Sequence, residues 1–595
     1  MSTLPSTSSI DARTRIIVLI IASIGFLFDT YELLMTPLVG VPAIAELLGL
    51  PPNNPLVTDW TGRMLWISAL CGGTFGLMGG WLIDRFGRKR IMAASIFLYA
   101  FSPFAAAFST SLASFVFFRS LTFVGVCIEF IAAITWLAEL FEDPKQRQFA
   151  LGFTQAFASL GGILVTALNG WIVIHSNEFT ALPIPDIFNA HASWRYTLMT
   201  GILPALPIAL LLPFVPESRV WLDRRASDSF ARPSLAGLFT PELRRTTLVT
   251  AALSACAYAA AFGALQLTPL RIIPGVPELA EQRALLKPLQ DEARTINVGI
   301  LELDPALKAG YGTVPGLREL AAKRAKNRIA FRAALRADDK ARAAELGAEF
   351  KALGEALDQL TSTAPDAKKS LVDREKLLKQ LGDNREKQET PDKAIKARGN
   401  AAQLWQEMGG LIGRILLAIL VVLAVTRRRL LRIFLIPGLL AVPLTYFSLY
   451  HTGGAGLNWA IAVCGLLVVA QFSYFGEFLP KVFPVHLRGT GGSFATNVGG
   501  RMIGTSAAFL TTNILAPLMP GVSTFDKVAF AAGVVGTTVF AIGFALSFLL
   551  PEPTVEKAVE PARLVHGYLR ERPTFHRLKF PLYDSPYSRS STRSA

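Results

Sequence analysis

The chain has 595 residues, of which 51% are hydrophobic and only 17% charged, with a formal net charge of +15. A soluble protein of this size carries about 25% charged residues, so the composition argues against an ordinary soluble enzyme. The apolar residues fall in long blocks with basic residues between them, which makes a lipid bilayer, and not nucleic acid, the expected partner of the positive charge.

Arg13 and Arg15 precede an apolar run from Ile16 to Val39. That run exceeds the roughly 7–15 residues of a signal-peptide core and carries Asp29 and Glu32, so it reads as a retained first membrane helix. A spanning helix needs about 20 apolar residues. Such runs occur near 16–39, 60–83, 90–109, 114–138, 148–173 and 194–214, then near 246–270, 405–425, 431–450, 456–479, 490–516 and 527–550. The segments 84–90, 142–147, 215–245, 427–432 and 480–488 are rich in Lys and Arg, whereas 41–59, 110–113, 174–193 and 451–455 contain none. Basic loops stay in the cytoplasm, so both termini are expected there.

The expected organisation is a first six-helix bundle over 1–214, a cytoplasmic linker over 215–245, and a second bundle from 246–270 and 405–550. Residues 271–404 form an extracytoplasmic insert rich in Ala, Leu, Glu, Lys and Arg. Its Leu353, Leu357 and Leu360 spacing predicts a helical hairpin or short coiled coil turning near Pro365. The insert is either a solvated spacer or a docking module for an envelope protein. The basic tail 551–595 reads as disordered. Cys71, Cys127, Cys256 and Cys464 sit in apolar blocks without a CxxC pair, so neither a zinc site nor a disulfide framework is expected. No phosphate-binding loop, HExxH string or nucleophile elbow is present, and no cofactor or enzymatic activity is implied.

Between the second and third spans the chain reads Gly80-Trp-Leu-Ile-Asp84-Arg85-Phe-Gly87-Arg88-Lys89-Arg90. This resembles the GxxxDRxGRK loop of the major facilitator superfamily. Trp194-Arg195-Tyr196, Pro216-Glu217-Ser218 with Trp221-Leu222, and the cluster Glu139, Pro144 and Arg147 resemble its sugar-porter branch. Phe483-Pro484 and Arg488-Gly-Thr-Gly491 occupy the related place after span ten, and Arg488 through Arg501 looks like the organic-acid:proton symporters. The seventh span, around Ser254–Gly263, lacks the Gln-Gln pair of sugar porters. The resemblance implies an all-α fold of twelve helices in two bundles, a central solute site and alternating access.

Ionisable groups within the membrane are functional candidates. Asp29 and Glu32 share a helix face. At about 1.5 Å per residue, Asp29 and Arg119 lie at similar depths, and the resemblance implies that such a pair couples proton movement to transport. Glu129 is expected to line the solute cavity with Arg414 and Arg501. Arg414 and Arg501 fall near the midplane and favour an anionic solute; Gln155 and Asn169 either bind the solute or bond a neighbouring helix. Gly80, Asp84, Arg85, Gly87, Arg88, Glu139, Arg147, Glu217 and Arg488 are expected to form the cytoplasmic gate. The expected function is proton-coupled symport of a small organic acid or sugar. A uniporter, an exporter, and a non-transporting scaffold using 271–404 are the alternatives.

Overall fold

The structure, a computed structural model, describes residues 12–140, 144–203, 205–211, 217–218, 221–222, 235–336, 339–362, 364–422, 426–484 and 487–551. The tail from 552 and most of the linker lie outside the described residues, as do the side chains of Asp84, Arg147, Gln155, Glu477 and Arg488. The expectations placed on them are not addressed.

Among the described residues there is no strand. The chain opens with five long helices: α1 (Ala12–Leu48), α2 (Pro55–Phe86), α3 (Arg88–Ala106), α4 (Leu112–Leu140) and α5 (Pro144–His175). The local chemistry sets their ends. Asn54 caps α2 by accepting the Leu56 N–H at 2.9 Å, and Pro55 occupies the first helical position, where no N–H is needed. Gly87 breaks α2 from α3 with φ of 100°, a conformation that disfavours other residues. The sixth crossing is split into α6 (Ser193–Met199) and α7 (Ala205–Leu211) by a tight turn at Thr200–Ile202. After the linker, α8 (Arg244–Gly263) continues through shorter helical turns to Gly275.

Nine helical stretches among the described residues are long and apolar enough to cross a bilayer. The other three expected crossings are helical but fall short for visible reasons. Arg88, Lys89 and Arg90 open α3, the sixth crossing is broken, and the eleventh is built from short pieces. Those pieces are α15 (Arg488–Ser493), a widened π-helical segment (Phe494–Gly504) and a second one (Leu510–Leu515).

The insert differs from the expected hairpin. It holds α9 (Ala280–Thr313), α10 (Leu317–Arg336), α11 (Lys340–Leu360) and the outer part of α12 (Pro365–Val422). Pro365 does follow the turn, but it opens a 58-residue helix that runs on as the eighth crossing. The remaining crossings are α13 (Arg427–Pro443), α14 (Gly454–Val482), the α15 stretch and α16 (Thr524–Ser547), the last opened by a reciprocal Ser523–Asp526 capping box.

The first helices pack on one another through α1 with α4 and α5, and α4 with α2 and α3. The later ones pack through α12 with α14, α16 with α8 and α13, and α8 with the 494–504 segment. The two sets meet where α2 lies against 494–515 and α5 against α12. Small residues permit these contacts: a Cβ on Gly161 would overlap the Leu27 carbonyl, and one on Gly409 the Ala462 carbonyl.

The candidate translocation site

At the end of the molecule that carries the Arg88–Arg90 run, the charged residues form one connected cluster. Arg88 is 2% exposed and donates from Nε and Nη2 to the two oxygens of Glu139, at 2.9 and 2.7 Å. This fork-to-fork geometry is the strongest form of ion pair. Ser218 also donates to Glu139, at 2.6 Å. Glu217 accepts the backbone N–H groups of Arg88 and Lys89 at 2.9 and 3.1 Å. A carboxylate there satisfies the open donors at the start of α3 and faces the positive end of its dipole. A Cβ at position 87 would collide with Glu217. Arg85 lies over the Trp81 and Phe86 rings instead, and a Cβ on Gly80 would meet nothing.

The opposite end has its own ties. Glu46 at the end of α1 accepts the Asn189 N–H at 2.8 Å and the Trp194 indole N–H at 2.6 Å. Arg195, fully buried, donates to the carbonyls of Ala107 and Ser109. The Trp-Arg-Tyr string therefore staples the start of α6 to α1 and to the α3–α4 turn. Arg271 spans the two helix sets, donating to the Pro52 carbonyl at 2.6 Å and the Thr61 hydroxyl at 3.0 Å.

Between these ends lie the buried charges. Arg119 of α4 pairs with Glu32 at 3.9 Å and donates to the Thr36 hydroxyl and the Glu32 carbonyl. The expected Asp29–Arg119 pair is thus replaced by Glu32–Arg119, because both carboxylates lie within one turn of α1 and the arginine reaches the farther one. Asp29 instead faces Glu129 of α4 within hydrogen-bonding reach, with Arg501 beyond. All four oxygens of Asp29 and Glu129 are buried and receive no hydrogen bond from a protein donor. Arg501, in the widened segment of the eleventh crossing, donates to the Cys127 carbonyl at 3.3 Å and to Asn497 at 3.2 Å, and covers the Phe130 ring. One guanidinium from the later helices therefore lies within electrostatic reach of two carboxyl groups from the earlier ones.

Arg414 on α12 donates to Ser473 at 3.1 Å. Asn169 of α5 donates to Asn400 of α12 and accepts from Thr197, both at 2.7 Å, so it bonds neighbouring helices across the interface. Two functional candidates escape sequence reasoning. Glu407, 4% exposed on α12, accepts from Gln406 at 3.1 Å and faces Gly162 of α5. It stands two turns from Arg414 on the same helix face. Tyr258 of α8 lies beside Arg501 and within the electrostatic reach of Arg414. Glu407 is detectable as a charge in an apolar run once the helix is known to begin far upstream. Tyr258 stands out only as the single hydroxyl-bearing ring in an alanine-rich stretch.

The arrangement holds carboxyls, arginines and amides buried between the two ends of the molecule, which suits charge exchange and the binding of a polar solute. Residues 16–284 match the family model of the Major Facilitator Superfamily. The chain is 32% identical over 154 residues to the cis,cis-muconate transport protein of Acinetobacter baylyi, covering 26% of this chain and 33% of that protein. It is 29% identical over 165 residues to the arabinose-proton symporter of Bacillus subtilis, covering 28% and 34%. It is 28% identical over 174 residues to the 3-(3-hydroxy-phenyl)propionate transporter of Escherichia coli, covering 29% and 38%. These matches span about a third of each relative's length. A solved D-xylose-proton symporter shares the fold, with a TM-score of 0.51 at 15% identity over 91% of this chain and 98% of that one. Residues 16–284 thus carry the sequence pattern of the Major Facilitator Superfamily, and nearly the whole chain has the fold of that solved symporter, as a multi-pass membrane protein.

Proposed function

We propose that the chain is a proton-coupled symporter of a small organic anion, with a sugar as the alternative substrate, working by alternating access. The observation that carries this reading is the Asp29–Glu129 pair: four buried carboxylate oxygens, side by side, without a protein donor. Two ionised carboxylates in that setting repel, and one shared proton relieves both the repulsion and the missing hydrogen bond. Arg501 balances the remaining negative charge. A solute carboxylate that draws Arg501 away strengthens the need for that proton, so binding of anion and proton become linked.

In this reading Asp29 and Glu129 carry the proton, and Glu32 with Arg119 holds α1 against α4. Arg414, Arg501 and Gln155 line the solute path, and Asn169 ties α5 to α12 beside it. Gly80, Asp84, Arg85, Gly87, Arg88, Glu139, Arg147, Glu217 and Arg488 form the gate on the cytoplasmic face of a bacterial inner membrane, with both termini on that side. The two bundles, 1–214 and 246–270 with 405–550, rock about this layer. Relatives named for muconate, hydroxyphenylpropionate and arabinose transport support an organic acid or sugar as cargo. Exposed Leu285, Val298 and Leu301 on α9 support a secondary reading, in which the insert docks an envelope protein.

The test is proton flux in proteoliposomes. Adding a panel of organic acids and sugars outside and following external pH should give alkalinisation with one solute and none with Asp29→Asn. Continued accumulation of that solute against its gradient by Asp29→Asn would sink the coupling role. A flat trace across the panel would remove symport and bring uniport or export forward. Deleting the insert with transport unchanged but a partner lost would support docking.

A further inference from the structure

Far from the buried charge layer, the insert encloses a cavity of about 1220 Å³, walled by α9 to α12 and by segment 177–186 between α5 and α6. Small-molecule sites occupy about 300–1,000 Å³, so this space accommodates one small ligand with water. Its lining is apolar over much of its area, with Leu307 and Tyr311 on α9 and Leu371 on α12.

The charges are unevenly balanced. Asp186 is shared by two arginines, Arg374 at 2.7 Å and Arg328 at 3.2 Å. Arg324 pairs with Glu375 at 2.7 Å, yet its buried Nε has no acceptor. Lys308, Arg318 and Lys326 also line the space, and none of the three forms an ion pair among the described residues. Glu178, Asp304 and Asp339 line the space as well, so the basic side chains outnumber the acidic ones by a small margin around an apolar floor. Segment 177–186 is fixed as a wall, since Arg385 also donates to the Ile187 carbonyl at 2.6 Å.

We infer that this cavity is a second binding site, separate from the translocation path, for a small organic anion with an apolar body such as an aromatic carboxylate. The ring lies on the Leu307–Tyr311 floor, where burial of its surface drives binding. The carboxylate faces Lys308, Arg318 and Lys326, which attract it through solvent and favour it over a neutral analogue. Such a site concentrates the anion at the mouth of the insert. It stands independently of the transport reading, because it is measured as binding without flux.

The experiment uses the full chain in zwitterionic nanodiscs, with 4-fluorobenzoate as the probe followed by fluorine NMR and 4-fluorobenzyl alcohol as the neutral control. The expected result is saturable benzoate binding that weakens at higher salt and exceeds that of the alcohol. It should weaken about tenfold in Lys308→Gln/Arg318→Gln/Lys326→Gln and persist in Arg501→Gln. Because the three side chains are exposed, helix content should be unchanged by circular dichroism. Ala325→Trp, which fills the cavity from one wall, should abolish binding by a different route. Binding unchanged in both insert variants, binding lost in Arg501→Gln, or no binding to the unaltered protein each overturns the inference.

Discussion

Arg119 lies 3.9 Å from Glu32 across the α1–α4 contact, and both side chains are almost fully buried. Removing one member of a buried pair strands the other, at a cost of about 3–5 kcal/mol. Arg119→Gln should therefore lower the unfolding temperature clearly, read by tryptophan fluorescence in detergent. The double variant Glu32→Gln/Arg119→Gln should recover part of that loss. No recovery would mean that Arg119 stabilises through Thr36 or packing instead of charge.

Glu129→Gln tests the proposed proton pair from its other side. The amide keeps the shape and supplies Asp29 with a donor, but it cannot release a proton. Counterflow exchange of solute should survive while uphill accumulation disappears. Retained accumulation would assign the proton elsewhere, with Glu407 the next buried carboxyl to change.

At the proposed gate, Glu139→Gln deprives buried Arg88 of its forked partner, while its bond to the Ile83 carbonyl at 3.2 Å remains. A charge-assisted pair of this kind biases a two-state equilibrium by roughly tenfold or more. A cysteine placed along the gate should label faster by a comparable factor. An unchanged labelling rate would show that the pair serves folding and not closure.

Asp186 gives the insert a pH dependence. Burial pushes its carboxyl up, but the hydrogen bond and charge of Arg374, with Arg328, outweigh burial and hold it below the usual 3.8. A depressed folded-state value means that this docking is intact above the ordinary carboxylate range and is lost as pH falls below it. Amide protection over 365–390, taken relative to the intrinsic exchange rate at each pH, should hold down to about pH 4 and fall below it. Asp186→Asn should exchange roughly tenfold faster at neutral pH, with the acid step gone.

Much of the fold is legible because apolar length and loop charge are one-dimensional signals. The Gly80–Arg90 string marks the break between α2 and α3 for the same reason: its glycine and its helix-opening charges are local. Partner choice is not local. Asp29 and Glu32 sit one turn apart on the same helix, so depth along α1 cannot decide which one meets Arg119. The answer depends on how α4 is rotated, which brings Glu129 to Asp29. Glu407 is hidden by a boundary error, since a helix thought to begin at 405 makes residue 407 a helix end. The insert misleads because its charged, alanine-rich sequence suits a helix of any length, and only packing on 177–189 shows where it is anchored.

The 58 residues of α12 make a rod about 87 Å long at 1.5 Å per residue. Its outer 38 or so residues form an arm of roughly 57 Å, so a tilt of about 10° at the membrane would swing the far tip by roughly 10 Å. That tip is gripped by Asp186, which belongs to the other set of helices. The helix acts as a lever with a bend point at Pro391, and its tilting loads the Asp186 grip together with the Arg385 contacts to the same loop. A molecule that tightened or loosened the grip on the insert would set the pace of the proposed transport cycle without entering the proposed solute path.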